Sequence, residues 1–168
     1  MIIGFCGPAG SGKSFAAAVL RREHGFMRLR FAGPLKAMLR ALGLTEADVD
    51  GDGKERPHPR LCGRTPREAM QTLGTEWGRT LIGPDIWIEM LLEDARWAVS
   101  VGQNVVIDDV RNANEVSAIH HLGGRVLRIR RPGVEAKGAH VSERSDFTPD
   151  GELVNDGEGF AARVAGLV

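Results

Sequence analysis

The residues Gly7-Pro8-Ala9-Gly10-Ser11-Gly12-Lys13-Ser14 match the spacing G-x-x-x-x-G-K-[ST] in full. Glycines at these positions let successive backbone N–H groups point into one concavity. With a helix N-terminus behind it, such a concavity cradles phosphate. The lysine then reaches the β- and γ-phosphates of a nucleoside triphosphate, and the hydroxyl that follows is a Mg²⁺ ligand. Gly7, Ala9, Gly10, Ser11, Gly12, Lys13 and Ser14 are therefore the candidate nucleotide-binding residues. The apolar run Ile2 to Cys6 precedes them and the helix-forming run Ser14 to Arg22 follows, so the loop joins a strand to a helix as this chemistry requires.

A second group of residues suits the same chemistry. Val105-Val106-Ile107-Asp108-Asp109 is a hydrophobic strand ending in carboxylates, the layout that places an acidic oxygen near a phosphate-bound Mg²⁺. Alternation puts Asp108 and Asp109 on opposite sides, so one of them faces the metal; the alternative is that both cap the helix containing Asn114. Arginines cluster around these motifs. Arg60, Arg64, Arg67 and Arg79 lie in and after an irregular stretch, Arg111 lies two residues past Asp109, and Arg130, Arg131 and Arg144 frame the segment after a later strand. Arginine suits bidentate phosphate contacts and the charge that develops on a transferring phosphoryl group.

The elements that must position these groups follow from the pattern. Strands are expected at Ile2–Cys6, Phe26–Ala32, Asn104–Asp108, Arg125–Arg130 and Glu152–Val154, with helices between them. Pro34 opens a helix reaching about Leu42. Thr65-Pro66-Arg67-Glu68 is a capping box with proline at the first helical position. Asp48 to Gly53 imitates the opening of a calcium loop, but its twelfth position is Pro59 where a glutamate is needed, so an acidic turn is the better reading. Strands alternating with helices give an α/β fold: a three-layer α/β/α domain around a mostly parallel five-stranded sheet, with strand order 2-3-1-4-5. A single domain is expected over residues 1–168, with an acceptor-binding insert at about 43–80 and a lid-like segment at about 131–147.

Composition sets the outer limits. The 168 residues carry 22 basic and 22 acidic side chains, and this zero net charge argues against nucleic acid or an anionic membrane as partner. Cys6 and Cys62 make no disulfide framework. The N-terminus lacks a basic region ahead of its apolar run, and no stretch approaches the roughly 18 apolar residues of a membrane span. The expectation is a soluble, intracellular protein. No asparagine is followed by lysine, so the N-K-x-D base-reading motif of a GTPase is missing.

Beyond single motifs, the chain resembles the bacteriophage deoxynucleoside monophosphate kinases, a branch of the nucleoside monophosphate kinase-like P-loop proteins. The resemblance rests on the P-loop, on Phe31-Ala32-Gly33-Pro34-Leu35-Lys36, and on Thr65-Pro66-Arg67-Glu68 with Gln71-Thr72-Leu73-Gly74-Thr75-Glu76-Trp77-Gly78-Arg79. Asp85-Ile86-Trp87, Asp109-Val110-Arg111 with Asn114-Glu115, Gly123-Gly124, His140-Val141-Ser142-Glu143 and Asn155-Asp156-Gly157 extend it over nearly the whole length. Gly43 to Gly63 departs from any such pattern.

The resemblance implies transfer of the γ-phosphoryl of ATP, with Mg²⁺, to a deoxynucleoside monophosphate, in the cytoplasm (that of a host, if phage-encoded). The partners are then small-molecule nucleotides, and a homodimer stays open. Lys13 is assigned to the donor phosphates, Ser14 and Asp109 to the metal, and Arg111, Arg67 and Arg79 to the acceptor phosphate or the transferring group. Arg131 and Arg144 are the lid residues over ATP. Arg64, Gln71, His140 and Glu143 complete the acceptor candidates. Trp77 and Trp87 can stack on a base or pack in the core, and their apolar helical faces favour packing. A P-loop kinase of another small acceptor, such as dephospho-coenzyme A, is the alternative enzyme; a nucleotide-binding regulatory module is the alternative of a different class.

Overall fold

The computed structural model describes residues 1–134 and 147–168. They form two compact units, one made of Met1–Phe31 with Leu91–Val168 and the other of Ala32–Met90.

In the first unit, β1 (Ile2–Cys6), β2 (Met27–Leu29), β3 (Val105–Ile107), β4 (Arg125–Arg130) and β5 (Gly151–Val154) form one parallel sheet in the order β2-β3-β1-β4-β5. The three-layer α/β/α architecture and the expected strand order are both present. β1 is central and wholly buried, which is why it reads as an unbroken apolar run rather than an alternating one. Its register pairs Ile2 with Val105 and Ile3 with Arg125.

One face of the sheet packs Ile3, Phe5, Val106 and Ile129 against α1 (Lys13–His24) and α7 (Phe160–Ala165), through Ala16, Ala17, Leu20, Phe160 and Val164. On the other face α6 (Ala113–His121) sends Ile119 onto β1. β2 is shorter than the sequence suggests. Past Leu29, the Phe31 N–H goes to the Asp109 carboxylate instead of a ladder partner, and α2 begins at Gly33 with Pro34 in its first turn.

The second unit contains α2 (Gly33–Ala41), α3 (Glu46–Val49), two 3₁₀ turns at Asp52–Glu55 and Pro59–Leu61, and α4 (Pro66–Thr72). Leu39, Leu44 and Val49 form its core, with Leu61, Ala69, Met70 and Leu73 packed on them. The acidic stretch is used locally: Asp48 Oδ2 accepts from the N–H and the hydroxyl of Thr45, both at 2.7 Å, capping α3.

The capping box at Thr65 and Glu68 forms as its sequence requires. After Thr72 the helix widens into a π-helix over Leu73–Ile82, where the Gly83 N–H reaches the Gly78 carbonyl at 2.9 Å. Within this stretch Trp87 Nε1 donates to the Gly74 carbonyl at 2.9 Å, and a side chain bonded to a helix carbonyl is one of the features that accompany such widening. Gly78 makes room for the indole: a Cβ there would sit 2.5 Å from Trp87 Cζ2. α5 (Ile86–Ser100) follows, and no helix among the described residues is long and apolar enough to cross a membrane.

Candidate active site

The phosphate loop gets its shape from three glycines at positive φ, Gly7 (132°), Gly10 (80°) and Gly12 (108°), angles that side chains disfavour. Space excludes a side chain as well. A Cβ on Gly7 would lie 2.5 Å from the Ile129 carbonyl oxygen of β4. The loop is tied from behind: Ser11 is fully buried, and its carbonyl accepts from Asn155 Nδ2 at 2.8 Å. Ala9 and Gly10 form an exposed crest, and Arg131 Nη1 donates to the Gly10 carbonyl at 3.3 Å.

Lys13 folds over this loop, its Nζ donating to the carbonyls of Gly7 and Pro8, each at 2.7 Å. Burial pushes its pKa down to about 8, and the neighbouring Arg111 guanidinium adds to the effect against the pull of Asp108. A lysine in this condition gains from any anion placed in the loop, because the anion replaces two neutral carbonyls with full negative charge.

Beside the loop, the ends of β2 and β3 carry a charged cluster. Asp108 has a side chain only 2% exposed, and the Ser14 hydroxyl donates to its Oδ2 at 2.7 Å. Arg28 grips the same carboxylate with both arms of its guanidinium, Nε to Oδ1 at 2.9 Å and Nη2 to Oδ2, and Arg30 Nε stands 3.3 Å from Oδ1. Burial raises the pKa of Asp108, but the Arg28 fork, the Ser14 hydroxyl and Arg30 outweigh it and hold the carboxyl below the usual range.

Asp109 turns elsewhere, its Oδ1 accepting from the Phe31 N–H at 3.0 Å. Neither aspartate caps α6. That position belongs to Asn112, which forms a capping box with Glu115. Glu115 is buried and also accepts from the Arg111 N–H at 2.6 Å, fixing the backbone from which the Arg111 side chain projects.

The remaining candidates lie in the second unit. Arg67 pairs with Glu55, and Arg64 Nη1 stands 3.4 Å from Glu68 Oε1. Arg79 Nη1 donates to the Pro84 carbonyl at 3.0 Å. Gln71 is half-buried on α4, and the Trp77 ring lies 6.1 Å from that of Trp87, tilted by 43°. Trp87 is buried. His140, Glu143 and Arg144 lie outside the described residues, as does most of the expected lid.

The structure thus brings Lys13, Ser14, Asp108 and Arg111 together around the loop. Two residues that motif reading passed over, Arg28 and Arg30, join them, and so does Asn155, which entered only as part of the Asn155-Asp156-Gly157 motif. Their signal was available in part, since two arginines spaced by two on a strand project from the same side.

The donor set fits Mg²⁺, because a serine hydroxyl and carboxylates are the hard oxygen ligands that this ion takes. Among the described residues, no group of three or more His, Cys, Asp or Glu could hold a metal by itself. The fit is to an ion that draws further ligands from phosphate.

Comparison with known proteins agrees with this geometry. Residues 64–160 match the family model described as deoxynucleotide monophosphate kinase. A relative of that name from Acanthamoeba polyphaga mimivirus is 35% identical over 171 residues, covering 93% of this chain and 89% of its own length. The deoxynucleotide monophosphate kinase of Enterobacteria phage T4 is 29% identical over 94 residues, which are 54% of this chain and 39% of the phage protein. Among solved structures, the Mycobacterium tuberculosis APS kinase CysC in complex with AMPPNP and APS superposes with a TM-score of 0.55 at 15% identity, over 99% of this chain and 94% of that one. That likeness concerns the fold. The relatives, the matched segment and the phosphate loop converge, and the chain belongs to the deoxynucleotide monophosphate kinase family.

Proposed function

We propose that this protein transfers the γ-phosphoryl group of ATP to a deoxynucleoside 5′-monophosphate, giving ADP and a deoxynucleoside diphosphate. The observation that carries the reading is the Lys13–Ser14–Asp108 arrangement on a phosphate loop within a member of this family. An acceptor phosphate oxygen is largely ionised at neutral pH, since its second pKa is about 6. No strong general base is needed, and catalysis reduces to alignment and charge neutralisation.

In this reading the loop N–H groups and Lys13 bind the donor phosphates. Nucleotide binding draws Lys13 off the Gly7 and Pro8 carbonyls. Arg111 neutralises the transferring group, and Arg131 and Arg144 close over ATP. Arg67 is the main ligand of the acceptor phosphate, with Arg64, Gln71, Trp77, Arg79, His140 and Glu143 as further acceptor residues in the segment from about 43 to 80 and in the lid. The acceptor oxygen forms a bond to the γ-phosphorus as the bond to the β–γ bridging oxygen breaks, and ADP leaves with that electron pair. Ser14 and Asp109 would hold Mg²⁺, Asp109 through the carboxylate oxygen that does not accept from Phe31, and the ion would supply charge neutralisation on the phosphates. The protein acts on small nucleotides and not on nucleic acid or membranes.

A coupled ADP-release assay with Mg·ATP across the four deoxynucleoside monophosphates tests the reading. Turnover with at least one of them is expected. Turnover only with a hydroxyl acceptor such as dephospho-coenzyme A, or with no acceptor at all, overturns it.

A further inference from the structure

Single exposed apolar side chains are ordinary on a protein surface. Phe15 is set apart by its place and its support. It directly follows Ser14, so it stands at the mouth of the phosphate loop, and it is 52% exposed. Its ring is stacked on that of Phe160, with centroids 6.0 Å apart and planes inclined by 24°. Phe160 is itself 1% exposed and lies against the loop: a Cβ on Gly12 would touch its Cε1 at 3.4 Å. Phe15 is thus an aromatic surface backed from inside and open to water outside.

The sheet order determines which end of a triphosphate comes to this surface. Arg28, Asp108, Asp109 and Arg111 stand on β2 or just past β3, and β3 flanks β1 on one side. β4 and β5 lie on the other side. A triphosphate in the loop with its γ end among those charged groups therefore directs its nucleoside end toward β4 and β5. Ser14 reaches Asp108 on the β3 side. Phe15, about 100° further around α1, meets Phe160, which opens α7 after β5.

We propose that Phe15 recognises the nucleoside end of the phosphoryl donor: the open side of its ring receives that end while the loop and Lys13 hold the phosphates. The proposal rests on the phosphate-loop reading above. Aromatic rings take the flat and apolar faces of a nucleoside without needing a hydrogen bond, and the Phe15 side chain has no polar atom to offer a phosphate.

Titration calorimetry with ATP and with inorganic tripolyphosphate, which lacks a nucleoside, tests this. Phe15→Ser should weaken ATP binding roughly fivefold or more, the low end for a base stacked on an aromatic ring, and leave tripolyphosphate affinity as in wild type. Phe15→Tyr keeps the ring and should keep the ATP affinity. Unchanged ATP binding in Phe15→Ser overturns the proposal, as does a loss in Phe15→Tyr. An equal loss for ATP and tripolyphosphate in Phe15→Ser also overturns it, because Phe15 then merely supports the loop.

Should Phe15→Ser not fold by circular dichroism, wild-type sequence labelled with 4-fluorophenylalanine decides. The Phe15 fluorine resonance, assigned by its absence from Phe15→Tyr, should shift with ATP and stay in place with tripolyphosphate. Equal shifts, or none, overturn the proposal. Wild type that binds neither ligand overturns the phosphate-loop reading itself.

Discussion

The Ser14 hydroxyl and the Asp108 carboxylate meet at 2.7 Å although 94 residues separate them in the chain. This bond joins the first turn of α1 to the end of β3, and it makes Asp108 a structural as well as a chemical part of the site. Asp108→Asn removes the partner of the buried Arg28 fork. Breaking a buried ion pair costs about 3–5 kcal/mol, and the lower end is expected because Arg28 still reaches water. Urea denaturation at pH 7 measures the loss.

The same carboxyl fixes a pH dependence. Its folded pKa lies below its ordinary value of about 3.9, so its stabilising effect is fully present above that pH and is lost as pH falls through the lower, folded value. The stability gap between wild type and Asp108→Asn should therefore be constant near neutrality and narrow below about pH 4. A gap that widens on acidification contradicts the ion pair.

Lys13 gives a prediction at the other end of the scale. With a free-state pKa of about 8, it is charged below that pH and neutral above it. Bound phosphate raises this pKa, so nucleotide binding near pH 8 takes up a proton, and affinity falls as pH rises further. Calorimetry in two buffers of different ionisation enthalpy should show fractional uptake near pH 8, little at pH 6, and none in Lys13→Met. Lys13→Ala should also reduce turnover far more than tenfold, the equivalent of about 1.4 kcal/mol, without unfolding the protein.

Arg67 is expected to act on the acceptor alone. Arg67→Ala should raise the KM for the monophosphate roughly ten- to hundredfold, matching a lost charge-assisted hydrogen bond of about 1.5–3 kcal/mol, with the KM for ATP unchanged. Its present partner, Glu55, competes for the same guanidinium, so Glu55→Gln should lower the acceptor KM. The effect should be small, as both side chains are exposed. A shift in the ATP KM places Arg67 on the donor side.

Gly78→Ala tests the packing of Trp87 against the widened helix. The added methyl group meets the Trp87 indole at less than contact distance, an overpacking that costs about 1–3 kcal/mol. Thermal denaturation and the tryptophan fluorescence of the folded protein should both change. An unaltered Tm means the indole can move aside freely.

Much of the frame was legible because its determinants are local. The phosphate loop is eight consecutive residues, the Thr65–Glu68 box spans four, and the β-branched run before Asp108 announces a buried strand. The rest depends on partners that no window contains. Arg28 reads as the polar side of an alternating strand until the sheet order brings β3 alongside, 80 residues later. Asn155 stands in the Asn155-Asp156-Gly157 motif, but nothing in those three residues says that its side chain holds Ser11, 144 residues away. The π-helix over Leu73–Ile82 has the sequence pattern of an ordinary helix, and the Trp87 indole bonded to its Gly74 carbonyl comes from a residue beyond its end.

The central position of β1 also has a bearing on how the chain is made. Among the described residues the strands that pair with β1 are β3 and β4, whose partner residues begin at Val105 and Arg125. At a synthesis rate of 5–20 residues per second, roughly 5–20 s pass before either edge of this apolar strand has anything to pair with. Until then the nascent segment Ile2–Cys6 is an uncovered, aggregation-prone strand on the ribosome, and the phosphate loop it carries has neither the floor of β4 nor the tether from Asn155. Contacts of such high order make folding slow, and nucleotide cannot assist before β4 and Asn155 have emerged.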